Sequence, residues 1–203
     1  MNLISNILYW ISTGLLVPVI VLLIFFFIRS LFLIGGFFGE YLQVKRTTTR
    51  LYGALSNLSR ATLPDFEKNL AASSTAMVTV CASKIIEAGN DRPKADLILS
   101  EYEIAAGKQL ATSKTLTKMG PILGLMGTLI PMGPALVGLA SGDIASMAYN
   151  MQVAFATTVV GLVVSAIGFL TQQARERWAT MNLTILEYLA DITTGISDKS
   201  HDK

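Results

Sequence analysis

Two rows of small and hydroxyl-bearing residues are the positions in this chain most able to support chemistry. Gly120, Gly124, Gly127, Pro131, Pro134 and Gly138 recur at intervals of 4, 3, 4, 3 and 4 residues, and Ala154, Thr158, Gly161, Ser165, Gly168 and Gln172 repeat the pattern. On a helix those intervals keep each row on one face. Both rows lie within residues 119–174, an apolar tract whose one charge, Asp143, falls near its middle. Thr128, Thr157, Thr158, Ser165, Asn150 and Gln152 put hydrogen-bonding groups at membrane depth or at its edge. Such groups can line an ion path, but none can carry a proton as an intramembrane Asp or Glu does. A proton channel built on these helices must borrow its titrating group from a partner.

Composition narrows the class. The chain has 203 residues, 52% hydrophobic and 15% charged, with a mean hydropathy of +0.53. Soluble domains carry about 25% charged residues, so a membrane protein is expected. The net charge is only +2 and the basic residues are dispersed, which leaves no footprint for nucleic acid. Cys81 is the sole cysteine and His201 the sole histidine. They cannot supply an intrachain disulfide, a cysteine cluster, a His-ligated metal site or a His-based triad. Neither an enzyme nor a resident metal or cofactor is expected, and Cys81 reads as a small buried residue.

Three apolar spans must position the two rows. Residues 7–28 are long enough to cross ~30 Å of hydrocarbon. Their apolar character continues through 31–38, and Tyr9 and Trp10 suit an interfacial belt. No basic segment precedes this run and no small-residue cleavage site closes it, so it reads as a retained transmembrane helix rather than a signal peptide. The second span covers 119–140 and the third 147–171, joined through Ser141, Gly142, Asp143 and Ile144. That short polar turn makes the two an antiparallel hairpin, with Asp143 as a solvated loop residue.

Charge placement orients the spans. Lys and Arg are missing before the first span and from the turn. Arg29, Lys45, Arg46, Arg50 and Arg60 follow the first span, Lys114 and Lys118 precede the second, and Arg175 and Arg177 follow the third. The positive-inside rule puts the N-terminus and hairpin tip outside and the middle segment and C-terminus in the cytoplasm, an inner-membrane arrangement. Arg29 and Arg175 are expected to anchor the inner interface by snorkelling. The expected fold is an all-α integral membrane protein with three transmembrane helices and long cytoplasmic helical extensions. Residues 1–38 form the first helix and its extension, 39–118 a cytoplasmic helical segment, 119–173 the hairpin, and 174–203 a cytoplasmic helix and tail.

Within the cytoplasmic segment, Pro64 starts one helix, with Asp65 and Glu67 in its first turn. Gly89-Asn90-Asp91-Arg92-Pro93 is a turn, after which a helix from Lys94 runs unbroken into the second span. Thr47, Thr48, Thr49 and Gly53 argue against one rod over 41–60. Trp178, Met181, Ile185, Tyr188, Leu189 and Ile192 carry the third helix into the cytoplasm, and 197–203 reads as a disordered tail. Glu87, Asp91, Asp96, Glu101 and Glu103 are expected to be solvated or to meet Arg46, Arg50, Arg175 or Arg177 of a neighbouring copy.

The rows admit two readings. In lipid, apolar side chains gain little by leaving hydrocarbon for another helix, so small residues and hydroxyls bind helices together. Packing alone is one reading, and pore lining together with packing is the other. Pro131 and Pro134 favour the second, because each should interrupt its helix and free backbone carbonyls, tolerable only beside protein or water.

The run Gly120-Pro121-Ile122-Leu123-Gly124-Leu125-Met126-Gly127-Thr128 resembles the second transmembrane helix of the MotA/TolQ/ExbB proton-channel family, nearest the ExbB/TolQ branch. Ala156-Thr157-Thr158-Val159-Val160-Gly161-Leu162 resembles its third helix. The resemblance implies a ring-forming homo-oligomer of five copies whose second and third helices line a central hole. It further implies a single-span partner of the ExbD/TolR/MotB type that carries a membrane Asp. Thr128 and Thr158 match the family's pore-facing threonines, with Thr157, Ser165, Gly124, Gly127 and Gly161 beside them in the lining. The implied activity is conversion of proton-motive force into mechanical work. The chain departs from the branch at Val153, where a Glu is usual, and at Leu129-Ile130-Pro131, which replaces an aromatic-glycine continuation. The alternative is a non-conducting oligomeric scaffold that recruits partners through its cytoplasmic helices.

Overall fold

A computed structural model describes residues 2–55 and 77–194. Among these residues the chain is helical apart from two short turns: α1 (Asn2–Leu55), α2 (Met77–Ala88), α3 (Arg92–Ala140) and α4 (Ile144–Thr194). Three stretches are long and apolar enough to cross a membrane: Trp10–Leu42 within α1, α3, and α4. The expected helix start at Pro64 and the tail at 197–203 lie outside the described residues.

Local chemistry sets the boundaries. Gly89 takes a φ of 60°, the left-handed conformation that ends α2. Asp91 then caps α3: its Oδ1 accepts the backbone N–H of Lys94 at 3.2 Å, satisfying one donor that the first turn leaves unpaired. The hairpin turn repeats the device. Gly142 has a φ of 74°, and Asp143 Oδ1 accepts the N–H of Ser146 at 3.0 Å. Asp143 is therefore the N-cap of α4 rather than simply a solvated loop residue.

Two expectations are corrected. Gly53 and the threonine run do not end α1, which continues to Leu55. Isolated Gly and Thr residues cost only about 0.7–1 kcal/mol each in a helix, too little to stop one already long. Nor do Pro131 and Pro134 interrupt the second span, because α3 continues through Pro121, Pro131 and Pro134 to Ala140. Pro131 is fully buried, and protein packed around a proline supports the helix where a hydrogen bond is lost.

The described residues form two compact units, and α1, α3 and α4 contribute to both. The first comprises residues 1–36 and 111–172. Its core is small: Val19 and Leu23 of α1 meet Leu123 and Ile130 of α3, with Val160 of α4 against them. Its outer surface is apolar, with Trp10 76% and Phe32 78% exposed. A helix that is apolar all round belongs in lipid or in a protein core, and these side chains are not in the core.

The second unit comprises residues 37–110 and 173–203. Its core joins α2, α3 and α4 through Ile85, Ile98, Tyr102, Leu186 and Leu189. Arg92 pairs with Asp191 and, at 2.9 Å, with Asp96. Glu40 Oε2 accepts hydrogen bonds from Arg175 Nε at 3.0 Å and Nη2 at 2.7 Å. The Phe37 and Trp178 rings stack beside that pair at 5.4 Å and 12°. Arg175, expected as an interface anchor, thus holds α1 to α4 within one chain.

Cys81 is buried in this unit, and burial pushes its thiol up from its ordinary range. The thiolate is the reactive form, so less of it exists at any given pH. Iodoacetamide at pH 8 is predicted to alkylate Cys81 much more slowly in the folded chain than in denaturant, with the folded-state pH–rate curve displaced upward. Equal rates in the two states would contradict its placement.

Candidate functional site

The hairpin of α3 and α4 is built on contact between backbones. A Cβ added at Gly161 would lie 2.6 Å from the carbonyl oxygen of Gly120 and 2.9 Å from the Cα of Gly124. One added at Gly120 would lie 2.6 Å from the Gly161 oxygen and 2.9 Å from the Ser165 nitrogen. These neighbours are backbone atoms and cannot turn aside as a flexible side chain can, so no larger residue fits. Gly127 faces Thr157, whose Oγ1 would be 2.6 Å from an added Cβ, and Gly168 faces the Thr117 nitrogen at 2.7 Å. The two rows of small residues are therefore the two sides of one intrachain seam. Gly124, Gly127, Gly161 and Thr157, expected in the pore lining, are buried against the other helix of their own hairpin.

Hydroxyls follow the seam and close its remaining polar contacts. Ser165 Oγ donates to the Thr117 carbonyl at 3.0 Å, and Thr171 Oγ1 lies 3.2 Å from Ser113 Oγ in a buried contact. Thr157 is only 7% exposed, and its hydroxyl lies 3.0 Å from the Val153 carbonyl and 2.9 Å from that of Ala154. Thr128, Thr158 and Ser165 are all partly exposed, but Thr128 and Thr158 hydrogen-bond chiefly along their own helices. Thr128 Oγ1 donates to the Leu125 carbonyl at 2.7 Å. Thr158 Oγ1 lies 3.1 Å from the Ala154 carbonyl and 3.5 Å from that of Gly124 across the seam. A threonine donating backwards along its helix keeps its oxygen lone pairs for an outside donor. That property suits both residues to a protonated or hydrated group beside the hairpin.

Around these hydroxyls the wall is apolar. Leu125 and Val159 are 60% and 61% exposed. An open groove of about 810 Å³ runs along α4 past Met151, Phe155, Ala156 and Val159, with Gln152 as its one amide. Asn150 is half-buried and donates to the Ser146 carbonyl at 2.9 Å. Pro131 is buried and Pro134 half-buried on α3. Among the described residues no three His, Cys, Asp or Glu side chains converge to hold a metal ion.

The sequence reading found the seam but not all its members. Ser113 and Thr171 escaped it because they lie outside the two counted rows. Glu40 escaped because its partner Arg175 is 135 residues away. Arg29, the other expected anchor, is exposed and donates from Nη2 to Thr112 Oγ1 at 3.2 Å.

The family model of the MotA/TolQ/ExbB proton channel family matches residues 66–187. That stretch includes α2, α3 and most of α4, and so both sides of the seam. No curated protein matches the chain. The chain belongs to the MotA/TolQ/ExbB proton channel family.

Filling the seam should separate the helices. Gly161→Leu is predicted to lower the melting temperature of the purified protein and to loosen the hairpin, read as lost cross-linking between cysteines introduced at Ser113 and Thr171, whose side chains meet at 3.2 Å. Gly107→Ala is the control, since a Cβ at Gly107 meets nothing within 4 Å; it should keep the cross-link and leave the melting temperature unchanged or slightly raised. Retained cross-linking in Gly161→Leu would refute the seam.

Proposed function

We propose that this member of the MotA/TolQ/ExbB proton channel family is a stator subunit that converts proton-motive force into mechanical work through a partner's carboxylate. The observation that carries the reading is the pair of partly exposed hydroxyls, Thr128 and Thr158, on a hairpin with no Asp, Glu, His, Lys or Arg between Met119 and Ala140 or between Ile144 and Ala174. Five copies in a ring would bring several such pairs around a central hole, and a single-span partner of the ExbD/TolR/MotB type would place its Asp among them. The residue pattern at Gly127-Thr128 and at Thr158-Val159-Val160-Gly161 supports the ExbB/TolQ branch. The proposed setting is the inner membrane, with the N-terminus outside and the C-terminus in the cytoplasm, supported by the Lys/Arg placement.

The physical steps are simple. A protonated Asp is neutral and can pass the apolar wall made by residues such as Leu125 and Val159. An ionised one can only accept, so it must stay where the Thr128 or Thr158 hydroxyl can rotate away from its backbone carbonyl and donate to it, because an unpaired charge at the bilayer centre costs at least about 2.5–3.5 kcal/mol. A proton crossing 100 mV supplies about 2.3 kcal/mol, the same order as that cost. The potential can therefore bias which state of the partner is occupied. Gln152 and Val153 cannot ionise, so the relay rests on the partner.

The alternative scaffold reading has oligomers held through the two small-residue rows. The Gly120–Gly161 contact counts against it, because those rows are already occupied within one chain.

Thr158→Val keeps the shape and removes the hydroxyl. With the partner present, it is predicted to reduce proton flux into vesicles by about tenfold or more, the scale of a lost hydrogen bond to a charged group (~1.5–3 kcal/mol). Assembly by size-exclusion chromatography should be unchanged. Full flux in that variant would remove the hydroxyl from the mechanism.

A further inference from the structure

The apolar stretch Trp10–Leu42 contains two charged residues, Arg29 and Glu40. Glu40 is neutralised by Arg175. Arg29 has no acidic partner among the described residues, and its guanidinium donates to a hydroxyl, Thr112 Oγ1, at 3.2 Å. A cation at the end of a membrane span attracts an anionic group, and none is paired with it among the described residues.

Thr112 is unusual among its neighbours. The hydroxyls of Thr115, Thr117, Thr128 and Thr171 reach back to carbonyls of their own helices. Thr112 makes no such bond; its oxygen accepts from Arg29, which leaves the hydroxyl hydrogen uncommitted. Arg29 and Thr112 together therefore present guanidinium N–H groups and one O–H side by side. Planar guanidinium donors match the spacing of phosphate oxygens.

Depth and facing identify the source of that phosphate. Arg29 follows Trp10 by 19 residues, about 28 Å along a helix at 1.5 Å per residue, close to the ~30 Å hydrocarbon thickness. Trp10 is highly exposed, as a residue of an interfacial belt should be. Phe25 and Phe32, one turn to either side of Arg29 on the same face of α1, are 53% and 78% exposed. The guanidinium thus sits on a lipid-compatible face at headgroup depth. We propose that Arg29 and Thr112 bind the phosphate of an anionic phospholipid headgroup in the leaflet at that end of α1. The inference does not depend on proton conduction or on the partner.

The test uses the full-length chain in mild detergent, given dioleoyl phosphatidylglycerol or dioleoyl phosphatidylcholine and read by native mass spectrometry. Wild type should retain phosphatidylglycerol in preference to phosphatidylcholine, whose choline shields its phosphate. Arg29→Gln should reduce that retention by at least about fivefold, the scale of one basic residue at an anionic membrane surface. Arg29→Lys should keep part of it, and Thr112→Val should lower it with the charge intact, so a folding defect in one variant does not decide the result. Excess inorganic phosphate should not displace the lipid. Three results overturn the proposal: unchanged retention in Arg29→Gln, displacement by inorganic phosphate, or loss of association between copies in Arg29→Gln with lipid retention intact. The last would assign the counter-charge to a second copy.

Discussion

The approach of two peptide backbones at Gly120 and Gly161 is the constraint on which the hairpin depends. Lipid tails are as apolar as leucine, so two membrane helices gain little by burying apolar side chains against each other. They associate by closeness, and closeness here means a carbonyl oxygen 2.6 Å from where a Cβ would stand. With the backbones that near, Ser165 reaches the Thr117 carbonyl, and Thr171 meets Ser113. The seam then holds its own polar groups satisfied and buries Thr157 with the glycines. Thr128, Thr158 and Ser165 stay partly open, and of these Ser165 is already committed to the Thr117 carbonyl. The same contact that packs the helices thus decides which hydroxyls are left for a partner.

Outside the seam the chain changes its means of cohesion. The second unit is held like a soluble bundle, by Ile85, Leu186 and Leu189 in a buried core, and by the ion pairs of Arg92 and Arg175. α1, α3 and α4 take part in both kinds of packing. At 49 and 51 residues, α3 and α4 are about 75 Å long, more than twice the ~30 Å of a hydrocarbon core.

Much of this was legible in the residues. The intervals of 4 and 3 that place small residues on one face are a direct consequence of helical geometry, so the two rows were visible without coordinates. The turn at Gly89–Asp91 was equally clear, because glycine and asparagine favour it and Pro93 suits the first turn of the helix that follows. Whether the rows met within one chain or between copies was not readable, since both arrangements need the same small residues. Pro131 and Pro134 misled because the cost of a proline depends on what surrounds the freed carbonyl, and Pro131 is enclosed by protein. The Glu40–Arg175 pair had no local signature, because nothing near Glu40 in sequence marks a partner 135 residues away.

The central claim is that the titrating group comes from another protein. The most direct measurement is native mass spectrometry of the complex purified gently from its own membrane, with the mass and copy number of every component. The account predicts several copies of this chain together with a small single-span protein that carries an Asp in its membrane segment. A stable homo-oligomer without such a component, under conditions that keep other membrane complexes intact, would contradict it.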